Sequence, residues 1–235
     1  MDESQRQRIR QILVDFLCRR LSRIERLTLD DLDINPFLLR LLSHEMQIND
    51  ARSIVEWLVS QRFERGTVTS FGDTLEKIAR VFGETTGVEG ADLMLTREGR
   101  HYYIQVKSGP NTVPKDLAAK ISELLHSAQQ RNFGAVALFG MCYGSPRRVS
   151  SIVRRYVTVP YKVGRNFWAF LSGEENCIDQ IYAIAAEVSE TFRDPKGRSL
   201  REALGQKIEE LTYEFVQRYG ESGPEMWKKL LQENS

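Results

Sequence analysis

The first part of the chain carries apolar residues at intervals of three and four, a spacing that puts them on one face of a helix. This pattern predicts a long helix over about Ser4–Leu27. Pro36 suits the first turn of a second, short helix. A third is predicted over about Asn49–Arg65, with Gly66 as its stop. Residues 1–66 are therefore predicted to form a helical N-terminal region for packing or dimerisation.

The pattern then changes. A helix is predicted over Ser70–Gly83, closed by its last glycine, and two strand-like stretches follow it. Next come an amphipathic stretch, Pro114–Arg131, and a short apolar run flanked by glycines, Ala135–Gly140. The order helix, strand, strand, helix, strand predicts an α/β fold with a mixed central sheet flanked by helices. We assign this core to residues 67–194.

The rest of the chain is predicted to be mostly helical. Asn166–Leu171 reads as further strand-like or core material. The linker candidate Asp194–Arg198 precedes a helical C-terminal tail over residues 195–235. The helices predicted in this part of the chain cover about Cys177–Phe192, Leu200–Tyr219 and Pro224–Leu231.

The two strand-like stretches between residues 90 and 109 hold the candidate chemistry. A tight turn at Arg97–Arg100 joins them and predicts a hairpin. Successive side chains of a strand point to opposite faces, so Gln105 and Lys107 share one face. In an antiparallel pair, Asp92 can lie across from them. The hairpin therefore predicts an acid, an amide and an ammonium group at one end of a sheet.

Such a group can hold a divalent cation and direct a water at a phosphodiester. Asp92 is the natural ligand, and the amide of Gln105 and the carbonyl of Val106 are further oxygen donors. Lys107 can orient the water or stabilise the developing charge. Glu76, on the preceding helix, can add a second acid. It can equally be a solvated residue on an exposed helix face.

Composition limits the classes of protein to which the chain can belong. The chain has 235 residues and a formal net charge of +1, which is compatible with a nuclease whose acids and bases cancel. Three separated cysteines argue against a disulfide framework, and three scattered histidines against a zinc site. The polar N-terminus predicts no signal peptide, and no apolar run approaches a membrane span. We expect a soluble, cytoplasmic protein.

The site pattern resembles the PD-(D/E)xK nuclease superfamily. The resemblance rests on Asp92, the hairpin, Gln105-Val106-Lys107, and the helix and strand that follow. Glu76 matches an acid often found on the helix before the motif. The sequence departs from the family pattern in two places, since Gln105 replaces the usual third acid and Ala91 the usual proline. The resemblance implies a restriction-endonuclease-like fold with Asp92, Gln105, Lys107 and Glu76 as catalytic residues.

Three further segments resemble type II restriction endonucleases that read GG-N-CC-cored palindromes. They are Asp33–Phe37, Phe71–Glu76 together with Arg80–Gly83, and Gly164–Trp168. The resemblance implies a homodimer that cuts both strands of double-stranded DNA at a G/C-rich palindrome with Mg²⁺, for which Mn²⁺ can substitute. It also implies a cognate DNA methyltransferase in the same cell.

Polar and basic residues near the hairpin are candidates for contact with DNA. Arg147 and Arg148 belong to a basic cluster of the sequence. Arginine both reads guanine and binds phosphate, so the role of these two residues is left open. The cluster can also be the solvated face of a helix. The candidates are Ser108, Asn111, Thr112, Lys115, Arg147 and Arg148.

Two other functions are consistent with the sequence. One is a less specific or modification-dependent nuclease of the same superfamily. The other is a catalytically silent DNA-binding protein, in which Gln105 marks a lost acid.

Overall fold

The structure is a computed structural model that describes residues 1–111 and 113–235. Its helices are α1 Glu3–Glu25, α2 Pro36–Leu42, α3 Ala51–Ala79, α4 Lys115–Arg131, α5 Ser151–Tyr156, α6 Arg165–Ser172, α7 Cys177–Thr191, α8 Leu200–Tyr219 and α9 Gly223–Glu233. Its strands are β1 Leu93–Arg97, β2 Arg100–Lys107, β3 Val136–Met141 and β4 Tyr161–Val163. Short 3-10 turns cover Leu29–Asp31 and Pro146–Arg148.

The four strands form one sheet in the order β1-β2-β3-β4. β1 and β2 are antiparallel and are joined by the two-residue turn Glu98-Gly99, while β2 with β3, and β3 with β4, are parallel. Helix α4 makes the crossover between β2 and β3. The predicted α/β fold with a mixed sheet, and with helical N- and C-terminal regions, is confirmed.

Contacts divide the chain into two units, each built from two segments. The first unit comprises residues 1–16 and 70–191 and contains the whole sheet. Its core includes Ile121 and Leu125 of α4 and Phe139 of β3. The second unit comprises residues 17–69 and 192–235 and is helical. The functional division at residues 66/67 and 194/195 stays a prediction.

The predicted helix stop at Gly66 is wrong, because α3 runs through it without interruption from Ala51 to Ala79. A glycine costs a helix about 1 kcal/mol relative to alanine, which is too little to end a helix of this length. Gly66 instead leaves space for a neighbour. A Cβ atom there would lie 3.1 Å from Nη1 of Arg20.

The prediction for Asn166–Leu171 is half right. Its residues do enter the core, with Phe167 fully buried and Trp168 2% exposed, but they form the helix α6 rather than a strand. Glycines with positive φ flank this helix, Gly164 at +55° and Gly173 at +84°. Such backbone suits a turn into and out of a short helix. The two buried aromatic residues and Leu171 then lie on one helical face.

Within the described parts of the chain, helices that are both long enough and apolar enough to cross a membrane do not occur.

Candidate active site

Asp92 and Gln105 face each other at the end of the hairpin. Leu93 pairs with Ile104, and one further step of that register sets Asp92 opposite Gln105. The Asp92 N–H donates to the Ile104 carbonyl at 2.8 Å. The side-chain Nε2 of Gln105 donates to Asp92 Oδ2 at 2.5 Å, and the Val106 N–H donates to the same oxygen at 2.7 Å. The acid is therefore held by two donors from the opposite strand.

Lys107 and Glu76 form a second pair at the same end of the sheet. Lys107 is the last residue of β2, and Glu76 lies in the last turn of α3. The Lys107 Nζ is 3.5 Å from Glu76 Oε1. Their side chains are 25% and 20% exposed, so water reaches both. The structure thus brings together all four side chains predicted to be catalytic, while their roles stay predictions.

Burial is the main influence on Glu76. It raises the pKa of this carboxyl above its ordinary value, and the negative charge of Asp92 adds to the rise, while Lys107 opposes it. The sign of the shift means that burial and the charge of Asp92 together outweigh the attraction of Lys107. A cation bound between them would favour the charged form of Glu76.

Arg80 is a site residue that the sequence reasoning missed. It follows Glu76 by one helical turn, and its backbone N–H donates to the Glu76 carbonyl at 3.1 Å. Its Nη2 lies 3.7 Å from Asp92 Oδ1, while its buried Nε has no acceptor among the described residues. The i, i+4 spacing from Glu76 was the available signal, since it places both side chains on one face of the helix.

The donor set suits a hard cation only in part. Within residues 1–111 and 113–235, no group of three or more His, Cys, Asp or Glu side chains is placed to hold a metal. Two carboxylates and one amide remain. Asp92 Oδ2 already accepts two hydrogen bonds, so a cation would bind Oδ1, which lies 3.7 Å from Arg80 Nη2. Oxygen donors of this kind fit Mg²⁺, which binds through one or two carboxylates and keeps several waters.

Cys142 and Trp168 hold the sheet behind this group. The Cys142 N–H donates to the Lys107 carbonyl at 2.9 Å, which continues the parallel pairing of β2 and β3 by one residue. The indole Nε1 of Trp168 donates to the Cys142 carbonyl at 2.7 Å. Burial raises the pKa of the Cys142 thiol, and the charges of Glu76 and Asp92 add to the rise. The thiol is neutral and serves packing.

The loop after β2 meets the loop after β3. The Tyr143 N–H donates to the carbonyl of half-buried Ser108 at 3.0 Å, and the Ser150 N–H to Pro110 at 3.3 Å. With its amide turned so that nitrogen faces the carbonyls, Asn111 donates to Arg148 at 3.2 Å. The two segments predicted to contact DNA therefore lie side by side. Thr112 lies outside the described residues.

The basic residues at these loops differ in whether the protein itself already binds their charged groups. Arg147 and Arg148 are exposed, and no ion pair involves either within the described residues. Lys115 is also exposed, with its Nζ 5.2 Å from the centre of the Tyr156 ring. Arg154 instead donates to the Pro146 and Arg147 carbonyls, both at 3.1 Å, and holds the turn together. Three cations thus remain available to an anionic partner.

The sequence of the chain matches one known protein family. The family model described as type II restriction endonuclease EcoO109I matches residues 3–190. A search of curated proteins found no match. The matched range includes every residue of the candidate site and most of the chain.

Proposed function

Because the chain belongs to the family of type II restriction endonuclease EcoO109I, and so is a site-specific deoxyribonuclease, we propose that it is Mg²⁺-dependent and cuts both strands of a G/C-rich palindrome. Asp92, Gln105, Lys107 and Glu76 form the active site in this proposal. The geometry that supports it is the meeting of these four side chains at one half-exposed end of the sheet.

Mg²⁺ would be held by Asp92 Oδ1, the Gln105 amide oxygen and the Val106 carbonyl, with Glu76 as a further oxygen donor. When bound, the cation supplies positive charge that polarises the phosphate and makes a neighbouring water more acidic. Gln105 needs a rotation of its amide for this role, because its nitrogen faces Asp92 in the structure. The Val106 N–H keeps Asp92 in place during that rotation.

Lys107 acts on the attacking water and the phosphate. Its ammonium group has three N–H donors, and Glu76 lies near enough to accept one of them. The remaining donors can hold a water oxygen and a phosphate oxygen at once. Positive charge fixed in this position stabilises the charge that develops on phosphorus oxygens in the transition state. Glu76 orients the ammonium and can take up a proton through one water.

The loops after β2 and β3 would bind the DNA. Arg147, Arg148 and Lys115 provide exposed positive charge, and Ser108 and Asn111 provide polar groups beside the end of β2. Thr112 belongs to the same proposed surface by its place in the sequence. Since arginine is the common bidentate partner of guanine, this surface favours G/C-rich DNA. A palindrome calls for a two-fold symmetric homodimer, with each subunit cutting one strand.

The central experiment is digestion of a sequenced plasmid with Mg²⁺, followed by mapping of every cut end. Discrete fragments whose ends share one palindrome, and which vanish in EDTA, support the proposal. A smear would instead indicate a less specific nuclease. Light scattering of the same preparation measures the mass in solution, which should be twice the 27.1 kDa of the chain.

One observation favours a second candidate, a DNA-binding protein without cleavage. Gln105 donates its amide to Asp92, so a neutral group stands where the family pattern has an acid. DNA binding without nicking in either Mg²⁺ or Mn²⁺ would support this candidate. Restored cleavage in Gln105→Glu would then identify the lost acid as the cause.

The cellular setting follows from the same proposal. We infer a cytoplasmic enzyme with a cognate DNA methyltransferase that protects the host sequence. Cys18, Cys142 and Cys177 are all free thiols, as expected in a reducing compartment. Resistance of host genomic DNA to the purified enzyme, lost on DNA copied without modification, tests the methyltransferase.

A further inference from the structure

The second unit contains a cavity with an unusual concentration of arginine. Its volume is about 480 Å³, and α1, α3 and α8 supply its walls. Ile24, Val59 and Leu204 contribute apolar surface. Five arginines line the cavity, against a single acid, Asp31: they are Arg20, Arg23, Arg26, Arg62 and Arg65.

These five positive charges lack carboxylate partners. No ion pair within 4.0 Å joins any of them to an acid in residues 1–111 and 113–235. Their hydrogen bonds go to neutral groups, as in Arg26 to Ser22 and Arg65 to Gln61. Asp31 offsets one charge at most, and Oδ2 of its carboxylate already accepts from the Thr28 N–H and hydroxyl.

Arg20 is the most constrained of the five. Only 4% of it is exposed. Its Nη2 donates to the Phe63 carbonyl at 3.2 Å, and its guanidinium carbon lies 4.9 Å from the centre of the Phe63 ring. Its buried Nε has no acceptor in the described part of the chain. Burial lowers the pKa of this guanidinium, and the charge of Arg23 lowers it further.

Other arginines of the same unit show what a structural role looks like. Arg198 contacts both Asp194 and Glu25, and Arg218 contacts both Asp30 and Glu233. Arg52, on the same helix as Arg62 and Arg65, pairs with Glu56 at 2.9 Å. These three arginines thus have carboxylate partners within ion-pair distance. The five cavity arginines have only Asp31 among them, although like charges so placed weaken the fold.

We propose that the arginine cavity is a binding site for phosphate groups, separate from the four-residue active site. Guanidinium groups bind phosphate through paired, charge-assisted hydrogen bonds. The phosphate can belong to the backbone of bound DNA or to a free phosphate compound. The proposal does not depend on cleavage.

The test uses the whole chain and a double variant, Arg23→Ala with Arg62→Ala. Both side chains are exposed, so their removal spares the core. The control variant, Arg201→Ala with Lys229→Ala, removes the same charge from exposed positions outside the cavity that form no ion pair with the described residues. Calorimetry with inorganic pyrophosphate measures binding of a free compound. Fluorescence anisotropy with a 30-base-pair duplex in EDTA, over a range of salt concentrations, measures binding of DNA.

If free phosphate is the ligand, pyrophosphate binds the wild type and loses roughly tenfold in affinity for each arginine removed. If backbone phosphate is the ligand, the slope of log K against log salt falls by about two in the double variant. Either outcome, absent from the control, supports the proposal. Unchanged binding of both probes in the double variant overturns it.

Thermal melting without ligand separates binding from a structural role. Removal of two repelling charges should leave the melting temperature equal or higher. A lower melting temperature in the double variant, with the control unaffected, would assign these arginines to packing and reject the proposal. Loss of plasmid cleavage alone would bear on the active site, so the two proposals fail in different ways.

Discussion

At the end of β2, Lys107 lies 3.5 Å from Glu76 and Arg80 lies 3.7 Å from Asp92, so each acid has a cation nearby. In the arginine cavity, five guanidinium groups share the single carboxylate of Asp31. The first group is nearly balanced without a ligand, although burial still raises the pKa of Glu76. The second is strongly positive unless an anion is present.

This difference shows what a total charge conceals. The formal net charge of +1 covers both a nearly balanced group whose two carboxylates suit a cation and a strongly basic group that suits an anion. The active-site group should respond to a cation, and the arginine cavity should respond to an anion. Variants that alter the charge of one group therefore test whether the two act as described.

The largest effect is expected from Lys107→Ala. Cleavage should fall by roughly 100-fold or more, because the transition state loses its fixed positive charge, while DNA affinity stays near that of the wild type. Single-turnover cleavage and anisotropy measure the two quantities. Lys162→Ala is the control, since Lys162 packs over the Phe170 ring and has no proposed role in catalysis. Full cleavage by Lys107→Ala would exclude the proposed role.

Gln105→Glu should change the response to metal. Without Mg²⁺, the new carboxylate replaces a donor to Asp92 by a like charge, which we expect to cost about 1–3 kcal/mol of the free energy of unfolding. For a chain of this size that lowers the melting temperature by roughly 2–4 °C per kcal/mol.

With Mg²⁺ the loss in Gln105→Glu should be recovered, because a third carboxylate strengthens oxygen ligation. Melting curves over a Mg²⁺ titration measure both effects. Gln130→Glu, on the exposed face of α4, should show neither. Weaker Mg²⁺ stabilisation of Gln105→Glu than of the wild type would count against Gln105 as a ligand.

The effect of Glu76→Gln on the stability of the protein should depend on pH. The raised pKa of Glu76 means that the native state binds a proton more readily than the unfolded chain does. Glu76 therefore makes the native state less stable as pH rises from the ordinary carboxyl value of 4.5 through the raised one. The variant should have the melting temperature of the wild type well below that window and a higher melting temperature than the wild type above it.

With Mg²⁺ at neutral pH, the wild type should have a higher melting temperature than Glu76→Gln, since a bound cation favours the charged Glu76. Calorimetric melting between pH 4 and pH 8, with and without Mg²⁺, measures both trends. Glu123→Gln is a suitable control on an exposed helix face. A difference between Glu76→Gln and wild type that is constant across the pH range would rule out the proposed titration.

The smallest effect concerns the packing of the arginine cavity. Gly205→Ala in α8 adds a methyl group with no atom within 4 Å and should stabilise the fold by up to about 1 kcal/mol. Gly66→Ala should gain less, because its methyl group would press on Arg20 at 3.1 Å. Chemical denaturation compares the two. Equal gains would mean that Arg20 moves aside at no cost.

Local chemistry made much of the fold predictable. The predicted bounds of α8, Leu200–Tyr219, match the structure because Ser199 and Glu202 form a capping box and Gly220 follows the helix. The convergence of Asp92, Gln105 and Lys107 was predictable because strand alternation and a tight turn fix which side chains meet. Both signals lie within a few residues of the feature that they predict.

Contacts between distant segments were not predictable in the same way. Gly66 reads as a stop unless the position of Arg20 is known, since only that contact shows why a glycine lies within the helix. Arg80 joins the active site through a strand more than ten residues away. The arginine cavity gathers side chains from α1 and α3, and neither helix shows the cluster by itself.

Trp168, whose indole donates to the Cys142 carbonyl, can report on the first unit by its fluorescence. The chain has three tryptophans, and Trp57 and Trp227 both belong to the second unit. Replacing those two by phenylalanine would leave one buried indole whose emission reports the strand ends behind Lys107. Loss of order there would shift its emission to longer wavelength.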